Sequence, residues 1–340
     1  MRLGILTGGG DCPGLNAVIR AVVRTAEGMH GDSVIGYRHG WHGVTEGRSV
    51  ELTGASTHAI LTAGGTMLGT SRYHPSEHEG AVERALDTLA RDRIATLLVI
   101  GGDGTLIEAR LIAELGVRVV GIPKTIDNDV PGTDRCVGFD TALSIATEAV
   151  DRIHTTAESH NRLMVVEVMG HQTGWLAVGA GIAGGAHVIL PPEEPFDIEE
   201  IAGLLRHRHQ RESFSIVVVA EGAQPAAGTL EFSAAEGPMG SIVAGAIGER
   251  VRLELATRTS FETRLVVLGH IQRGGIPTAA DRLLATQLGV AAVDAVHDDA
   301  SSVITALSGS EVGLISLTEA TAGIRRVPQS LLEVAAALGG

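Results

Sequence analysis

Asp127 and Asp129 stand two residues apart in the segment Pro123-Lys124-Thr125-Ile126-Asp127-Asn128-Asp129, which also carries a lysine and a hydroxyl. Phosphoryl transfer to an alcohol needs a carboxylate to receive the hydroxyl proton, and cations or a metal to stabilise the spreading charge. Asp127 suits the base, Asp129 a metal-shell or positioning role, and Lys124 the holding of a phosphate. An Asx-type turn is the plainer reading of Asn128, though less so of the whole heptapeptide. A third carboxylate, Asp103, lies inside the loop Gly101-Gly102-Asp103-Gly104-Thr105-Leu106. Glycine loops let backbone amides cradle phosphates, and a carboxylate among them repels phosphate unless a cation intervenes, so Asp103 reads as a Mg²⁺ ligand. The structural alternative is Asp103 as the N-cap of the helix that follows.

Four further segments carry donors or glycines. Gly8-Gly9-Gly10-Asp11-Cys12-Pro13-Gly14 matches neither the Walker pattern nor GxGxxG, but it offers backbone to an anion. The run from Gly64 to Arg72 ends in an arginine suited to bridging phosphate charge. Met169-Gly170-His171 and His270-Ile271-Gln272-Arg273-Gly274-Gly275 complete the set. Each alone is compatible with a surface turn; the argument rests on their coincidence.

These segments need a frame that places strand ends side by side. Strands are expected over residues 2–6, 33–37, 95–100 and 118–122, with helices over 17–29, 80–91 and 106–115. The pattern restarts with helices over 141–158, 174–183, 198–211, 241–255 and 280–294. Strands are expected over 163–168, 187–190, 215–220 and 263–268, and weaker ones over 303–306 and 313–317. Alternation of this kind predicts α/β architecture with parallel sheets, and ligands in open α/β sheets bind at the carboxyl ends of strands. Most of the glycine segments follow such strands.

Composition narrows the function classes. Among 340 residues 44% are hydrophobic and 3% aromatic, so the core is aliphatic, and the length favours two lobes. A net charge of −14 argues against nucleic acid as a partner and obliges a phosphate enzyme to build local positive sites. Two cysteines without a CxxC pattern indicate neither a zinc site nor a disulfide framework, in keeping with the cytoplasm. No leader or apolar run of membrane-spanning length is expected.

The motifs together resemble those of the 6-phosphofructokinase family: TGGGDCPGLN at 7–16, GGDGT at 101–105, PKTIDND at 123–129, Met-Gly-His at 169–171 and HIQRGGIP at 270–277. They follow in family order over most of the chain. Lys124, and His171 where many bacterial members carry arginine, resemble the subgroup that mixes ATP- and pyrophosphate-dependent enzymes. The resemblance implies two Rossmann-like lobes with largely parallel sheets flanked by helices and an active site in the cleft. A donor lobe would comprise residues 1–138 and 251–305, and a fructose 6-phosphate lobe residues 139–250 and 306–340. It implies Mg²⁺-dependent transfer from ATP to the 1-hydroxyl of fructose 6-phosphate, a step of glycolysis, in a homo-oligomer (dimer or tetramer) with shared sites.

The resemblance also assigns roles. Gly9, Arg72, Tyr73, Gly102, Asp103, Gly104 and Thr105 would contact the donor, with Asp103 on Mg²⁺ and Arg72 also catalytic. Asp127 would be the base, with Thr125, Ile126 and Asp129 beside it. Met169, Gly170, His171, Glu221 and Gly222 would bind the sugar. His270, Ile271, Gln272 and Arg273 would serve its 6-phosphate, joined by Arg162 and Arg264 of an adjacent subunit. Gly104 resembles the ATP enzymes, whereas Lys124 resembles the pyrophosphate group; a glycine that leaves room for the rest of ATP outweighs one additional cation. Pyrophosphate as donor is one alternative. A lipid or NAD kinase-like enzyme is another, opposed by PKTIDND and HIQRGG. A non-catalytic sensing subunit is opposed by the joint presence of Asp103, Asp127 and Arg72. His187, Ser213 and Ser215 stand where an effector pocket would carry an acid and lysines, which implies weak or altered control by nucleoside diphosphate.

Overall fold

The computed structural model describes residues 1–230 and 244–338. The chain divides into two compact units. The first comprises Met1–Thr141 and Arg273–Arg325, the second Ala142–Gln272 and Arg326–Gly340.

The first unit is built on a seven-stranded sheet among the described residues, in the order β11-β10-β5-β4-β1-β2-β3. Its strands are β1 (Arg2–Thr7), β2 (Ser33–Tyr37), β3 (Ser49–Leu52), β4 (Thr96–Gly101), β5 (Val119–Pro123), β10 (Val303–Ser308) and β11 (Glu311–Ser316). The inner strands pair in parallel, and only the two edge strands, β3 and β11, run antiparallel. β1 and β4 are apolar and buried almost throughout, as strands covered on both faces must be. The helices are α1 (Leu15–His30), α2 (Trp41–Glu46), α3 (Ala81–Arg91), α4 (Asp103–Glu114), α9 (Ala279–His297), α10 (Leu317–Ala320) and the start of α5 (Phe139–His160). The order reverses at β1, so the loops after β1 and β4 are neighbours at the switch point, where Thr7 pairs with Ile100.

The second unit carries a fully parallel four-stranded sheet, β7 (Val188–Leu190), β8 (Ser215–Ala220), β6 (Leu163–Val168) and β9 (Thr263–Val267), in that order. Its helices are the rest of α5, α6 (Trp175–Ala183), α7 (Ile198–Arg208), α8 (Ala246–Thr259) and α11 (Gln329–Leu338), the last packing on α6.

Sequence patterning located these elements to within a few residues, but it did not anticipate α2, β3, α10 or α11. The expected helix 241–255 is observed from Ala246, and residues 241–243 lie outside the described part of the chain. Two boundaries between units also differ from expectation. Residues 251–272 fall in the second unit because α8 packs on α7 and β9 pairs with β6. Residues 306–325 fall in the first because the β10–β11 hairpin extends its sheet. No helix among the described residues is long and apolar enough to cross a membrane.

Candidate active site

Three strand ends of the first unit deliver the phosphate-type residues. Gly101 pairs with Pro123, and Lys124 N donates to Gly101 O at 2.9 Å, so the loops carrying Asp103 and Asp127 leave adjacent strands side by side. Gly8 N donates to Ile100 O at 2.9 Å, which sets the glycine loop after β1 against the same place. Thr105 is buried and packs where Cβ atoms on Gly8 and Gly101 would stand, 2.6 and 2.3 Å from it. A larger residue at Gly8 would separate the two loops, and one at Gly101 would displace Thr105 within its own loop.

The loop backbones are held chiefly through their carbonyls. The Lys124 ammonium donates to Gly10 O, Thr70 Oγ1 to Gly9 O at 2.6 Å, Thr7 Oγ1 to Gly69 O at 2.8 Å, and Arg273 Nη1 to Asp11 O at 3.3 Å. Lys124 is 3% exposed, and burial pushes its pKa down. Its place in the structure is therefore beneath the glycine loop, as a support for that loop. Gly102 is the N-cap of α4 and Asp103 its first residue, with no side-chain cap hydrogen bond at this terminus. Asp103 is exposed in this first turn.

In the β5 loop Thr125 Oγ1 accepts from Asp127 N at 3.1 Å, which ties the two residues together. Ile126 is fully buried, so only its backbone can face a ligand. Asn128 has a positive φ of 53°; it accepts from Cys136 N at 2.9 Å and donates to Asp134 O at 3.2 Å. These bonds reach six and eight residues along the chain, so Asn128 pins the loop to the segment 134–136 and does not form the expected Asx-type turn, whose bond spans two residues. Arg72 is exposed beside the loops, and Tyr73 stacks on His78 with ring centroids 4.3 Å apart. Both cysteines are buried and unreacted, and burial pushes the Cys12 thiol up to about 12, which makes it a poor nucleophile.

The donor set suits Mg²⁺. No three His, Cys, Asp or Glu side chains gather to form a metal cage among the described residues. Mg²⁺ bound to phosphates characteristically uses one or two carboxylates and takes the rest of its shell from substrate and water. Asp103, at the mouth of a phosphate-type loop, provides a hard ligand of that kind.

In the second unit the loops after β6, β8 and β9 lie at one end of the sheet. Glu221 N donates to Val168 O at 2.8 Å, and Leu268 N to Glu167 O at 3.0 Å. Glu221 is 7% exposed, and its Oε1 accepts from Gly170 N at 3.3 Å and His171 N at 2.9 Å. This carboxylate fixes the Met169-Gly170-His171 turn, in which His171 takes a positive φ of 51°. Gly222 lies so close to that turn that a Cβ there would meet His171 O at 2.1 Å. His270 and Ile271 are exposed, whereas Gln272 is fully buried and donates to Gly269 O at 3.1 Å, a structural role. Arg162 binds Glu262 through Nε at 2.9 Å and Nη2 at 2.8 Å, and Arg264 binds the same carboxylate at 2.5 Å. The Arg162 hydrogen bond holds the Glu262 carboxyl below its usual range.

Sequence reasoning overlooked the groups that hold these loops. Glu167, in the middle of an apolar strand, accepts from Gly245 N and from Gly248 N at the start of α8. Glu193 accepts from Gly174 N at 3.0 Å and Val327 N at 3.1 Å. Arg325 donates to Asn128 O at 3.1 Å and to Asp129 O, so the end of the first unit supports the Asp127 loop. Asp281, fully buried, accepts from Gly138 N at 2.9 Å and Thr141 N at 2.8 Å. A lone carboxylate inside an apolar run is the one signal that could have found Glu167; apart from Glu193 with Gly174, 19 positions away, the others pair residues more than a hundred positions apart.

Comparison with known proteins places this arrangement. Residues 2–296 match the phosphofructokinase family. The ATP-dependent 6-phosphofructokinase of Mycobacterium tuberculosis is 49% identical, over 100% of both chains. The pyrophosphate–fructose 6-phosphate 1-phosphotransferase of Amycolatopsis methanolica is 50% identical, over 98% of both. Among solved structures, Pichia pastoris phosphofructokinase superimposes with a TM-score of 0.84 at 32% identity, covering 99% of this chain and 36% of that longer one. The chain thus spans about a third of the Pichia protein's length.

Proposed function

The chain belongs to the phosphofructokinase family, and on that premise we propose that it transfers a phosphoryl group from ATP to the 1-hydroxyl of fructose 6-phosphate, giving fructose 1,6-bisphosphate in glycolysis. The observation that carries the reading is the adjacency of the β4 and β5 loops, which sets Asp103 and Asp127 on neighbouring strand ends of one unit. Asp127 takes the proton of the attacking hydroxyl, and Thr125, bonded to its backbone, keeps the loop in register. Asp129 and Arg325 support the same loop. Asp103 would hold Mg²⁺, which would supply neutralisation of charge on the donor phosphates. Gly9, Gly102, Gly104 and Thr105 form the donor cradle, and Arg72 and Tyr73 lie beside it.

In the second unit Met169, Gly170 and His171 present the sugar-binding turn, and Glu221 with Gly222 accepts its hydroxyls while locking that turn. His270 and Arg273 serve the 6-phosphate. Ile271 and Gln272 flank them, Gln272 through the backbone only. Arg162 and Arg264 complete a neighbouring subunit's phosphate site in a homo-oligomer. Hybrids of inactive Arg162→Ala and inactive Asp127→Asn protein should then regain activity; verified hybrids that stay inactive would remove the shared site.

The relatives divide by donor at nearly equal identity, so overall similarity does not choose between ATP and pyrophosphate. The choice rests on Gly104, which leaves room for a nucleotide, against Lys124, which favours the compact donor. Lys124 is buried and tied to Gly10 O, which gives it a supporting place with either donor and weakens its vote. The test is turnover of purified protein with fructose 6-phosphate, Mg²⁺ and each donor. A higher kcat/KM with ATP is expected. Turnover with pyrophosphate alone would reverse the donor, and none with either would overturn the reading in favour of a sensing or lipid kinase-like protein. We place the enzyme in the cytoplasm, as a soluble protein with no nucleic-acid or membrane partner.

A further inference from the structure

The space beside Gly104 is already partly filled. A Cβ built on Gly104 would stand 3.0 Å from Cε1 and 3.5 Å from Nε2 of His74. The imidazole edge therefore lies against the first turn of α4, over the residue that follows Asp103. The ring is held from three sides. His74 O accepts from Glu77 N at 3.1 Å, closing a tight turn at Pro75–Glu77 that fixes the backbone leaving the ring. Pro75 follows directly and restricts the His74 backbone to an extended conformation, observed at φ −117°. The third restraint is electrostatic: Nδ1 is 3.8 Å from Oε1 of Glu108, one turn along α4 from Gly104. Glu108 is itself 3% exposed and takes hydrogen bonds from Ser76 Oγ and N. With Nδ1 turned to Glu108, the Cε1–Nε2 edge faces Gly104, and 22% of the side chain stays open.

We propose that His74 is a specificity-determining residue that contacts the phosphate chain of the donor beside Gly104. The inference rests on the donor loop assigned above. A side chain at position 104 would press its Cβ against the His74 edge, so the room that Gly104 leaves for the donor is shared with His74, and donor choice belongs to the pair His74 and Gly104. The polar Nε2 edge meets phosphate oxygens of a donor that continues past the β-phosphate. A pyrophosphate ends before it reaches that edge. The same packing means that Gly104→Asp introduced alone collides with the ring, so its effect reports a clash as well as a change of charge.

The test is a double-mutant cycle of His74→Ala and Gly104→Asp, with His74→Asn as the variant that keeps a hydrogen-bonding group. Two measurements are made on each protein: kcat/KM for ATP and for pyrophosphate, and calorimetric affinity for Mg–ATP without sugar phosphate. His74→Ala should weaken ATP binding and lower kcat/KM for ATP by about 10-fold, as for a lost hydrogen bond to a charged group, with pyrophosphate changed less than about threefold. His74→Asn should retain ATP affinity within about threefold. The damage done by Gly104→Asp should be smaller in the His74→Ala background, by about fivefold or more. Unchanged ATP affinity in His74→Ala, equal losses for both donors, or strict additivity in the cycle would overturn the proposal. If wild-type protein turns over with a donor and His74→Ala behaves identically, only this inference falls. If wild-type protein neither binds ATP nor turns over, the functional reading falls with it.

Discussion

The two units lean on different side-chain ties at the loops proposed to meet ligands. In the first, hydroxyls and cations reach back to loop carbonyls: Thr70 to Gly9, Thr7 to Gly69, Lys124 to Gly10 and Arg273 to Asp11. In the second, carboxylates reach back to amides of loops and helix starts: Glu221 to Gly170 and His171, Glu193 to Gly174, and Glu167 to Gly245 and Gly248; His187 Nδ1 likewise accepts from Ile216 N in β8 at 2.9 Å. Side-chain acceptors meet amides in the first unit as well, among them Asn16 on Met67 N, Glu108 on Ser76 N and Asp281 on Thr141 N, away from the glycine loop after β1. The difference follows from the ligand each unit would meet. A polyphosphate needs amides and positive charge, so carboxylate ties would compete with it; ties through carbonyls leave that polarity intact in a chain of net charge −14. A sugar presents hydroxyls that donate as well as accept, and a carboxylate that locks a turn has acceptor capacity left for them.

This contrast can be broken by separating rate, donor binding and sugar binding. The largest effect is expected from Asp127→Asn, which should lower kcat about 10²–10⁴-fold while KM for fructose 6-phosphate stays within a few-fold. Steady-state kinetics on folded protein decides it, and near-normal turnover would remove Asp127 as the base. Next is Glu221→Ala, which strips two turn amides of their acceptor. It should raise KM for the sugar phosphate by roughly 10-fold and cost about 1–3 kcal/mol in denaturant unfolding, with KM for the donor little changed. Lys124→Met removes a carbonyl tie on the other side and should raise KM for the donor by about 5–10-fold, leaving KM for the sugar nearly intact. A crossed result, in which Glu221→Ala weakens the donor and Lys124→Met the sugar, would dissolve the comparison.

The smallest effect concerns pH. Burial, then Arg208 and His154, push the His187 pKa down to about 4. The fold therefore favours neutral imidazole, whose Nδ1 can accept from Ile216 N. A group with a lowered folded pKa contributes stability above its unfolded value, near 6.5, and loses that contribution as pH falls toward 4. The midpoint advantage of wild type over His187→Asn should thus shrink by roughly a few degrees between pH 7 and 4.5. Parallel thermal scans across that range check it, and a constant difference would mean that His187 does not titrate with unfolding.

How much of this was written in the sequence depended on the range of the interaction. β1, β4 and β6 were legible because an apolar run bounded by glycine is a local signal, and Gly101–Thr105 and Pro123–Asp129 were legible because each packs its chemistry into a few consecutive residues. α2 was missed: it has only six residues, and Gly43 inside it reads as a loop. β3 was missed because, although Ser49 and Glu51 alternate with Val50 and Leu52, four residues are too short a run to signal a strand. Lys124 was read by its charge, whereas its burial under the glycine loop depends on the partner 114 residues away. His74 carried no signal at all, since its position over Gly104 arises only when the loop before α3 folds against α4.

The first unit is interrupted in the chain, and this sets an order of events during synthesis. β1 to β5 are made by residue 123, yet β10, which flanks β5, and α9, which covers α1, come after residue 272. The 184 residues from 142 to 325 take about 10–40 s to emerge at ~5–20 residues per second. Within that interval β5 stays an open edge until β10 is made and the apolar face of α1 stays bare until α9 is made, while residues 142–272 of the second unit emerge first. The sheet of the unit that would hold the donor is therefore completed on the ribosome after the sheet of the second unit, and α11, which packs on α6, closes the second unit last of all.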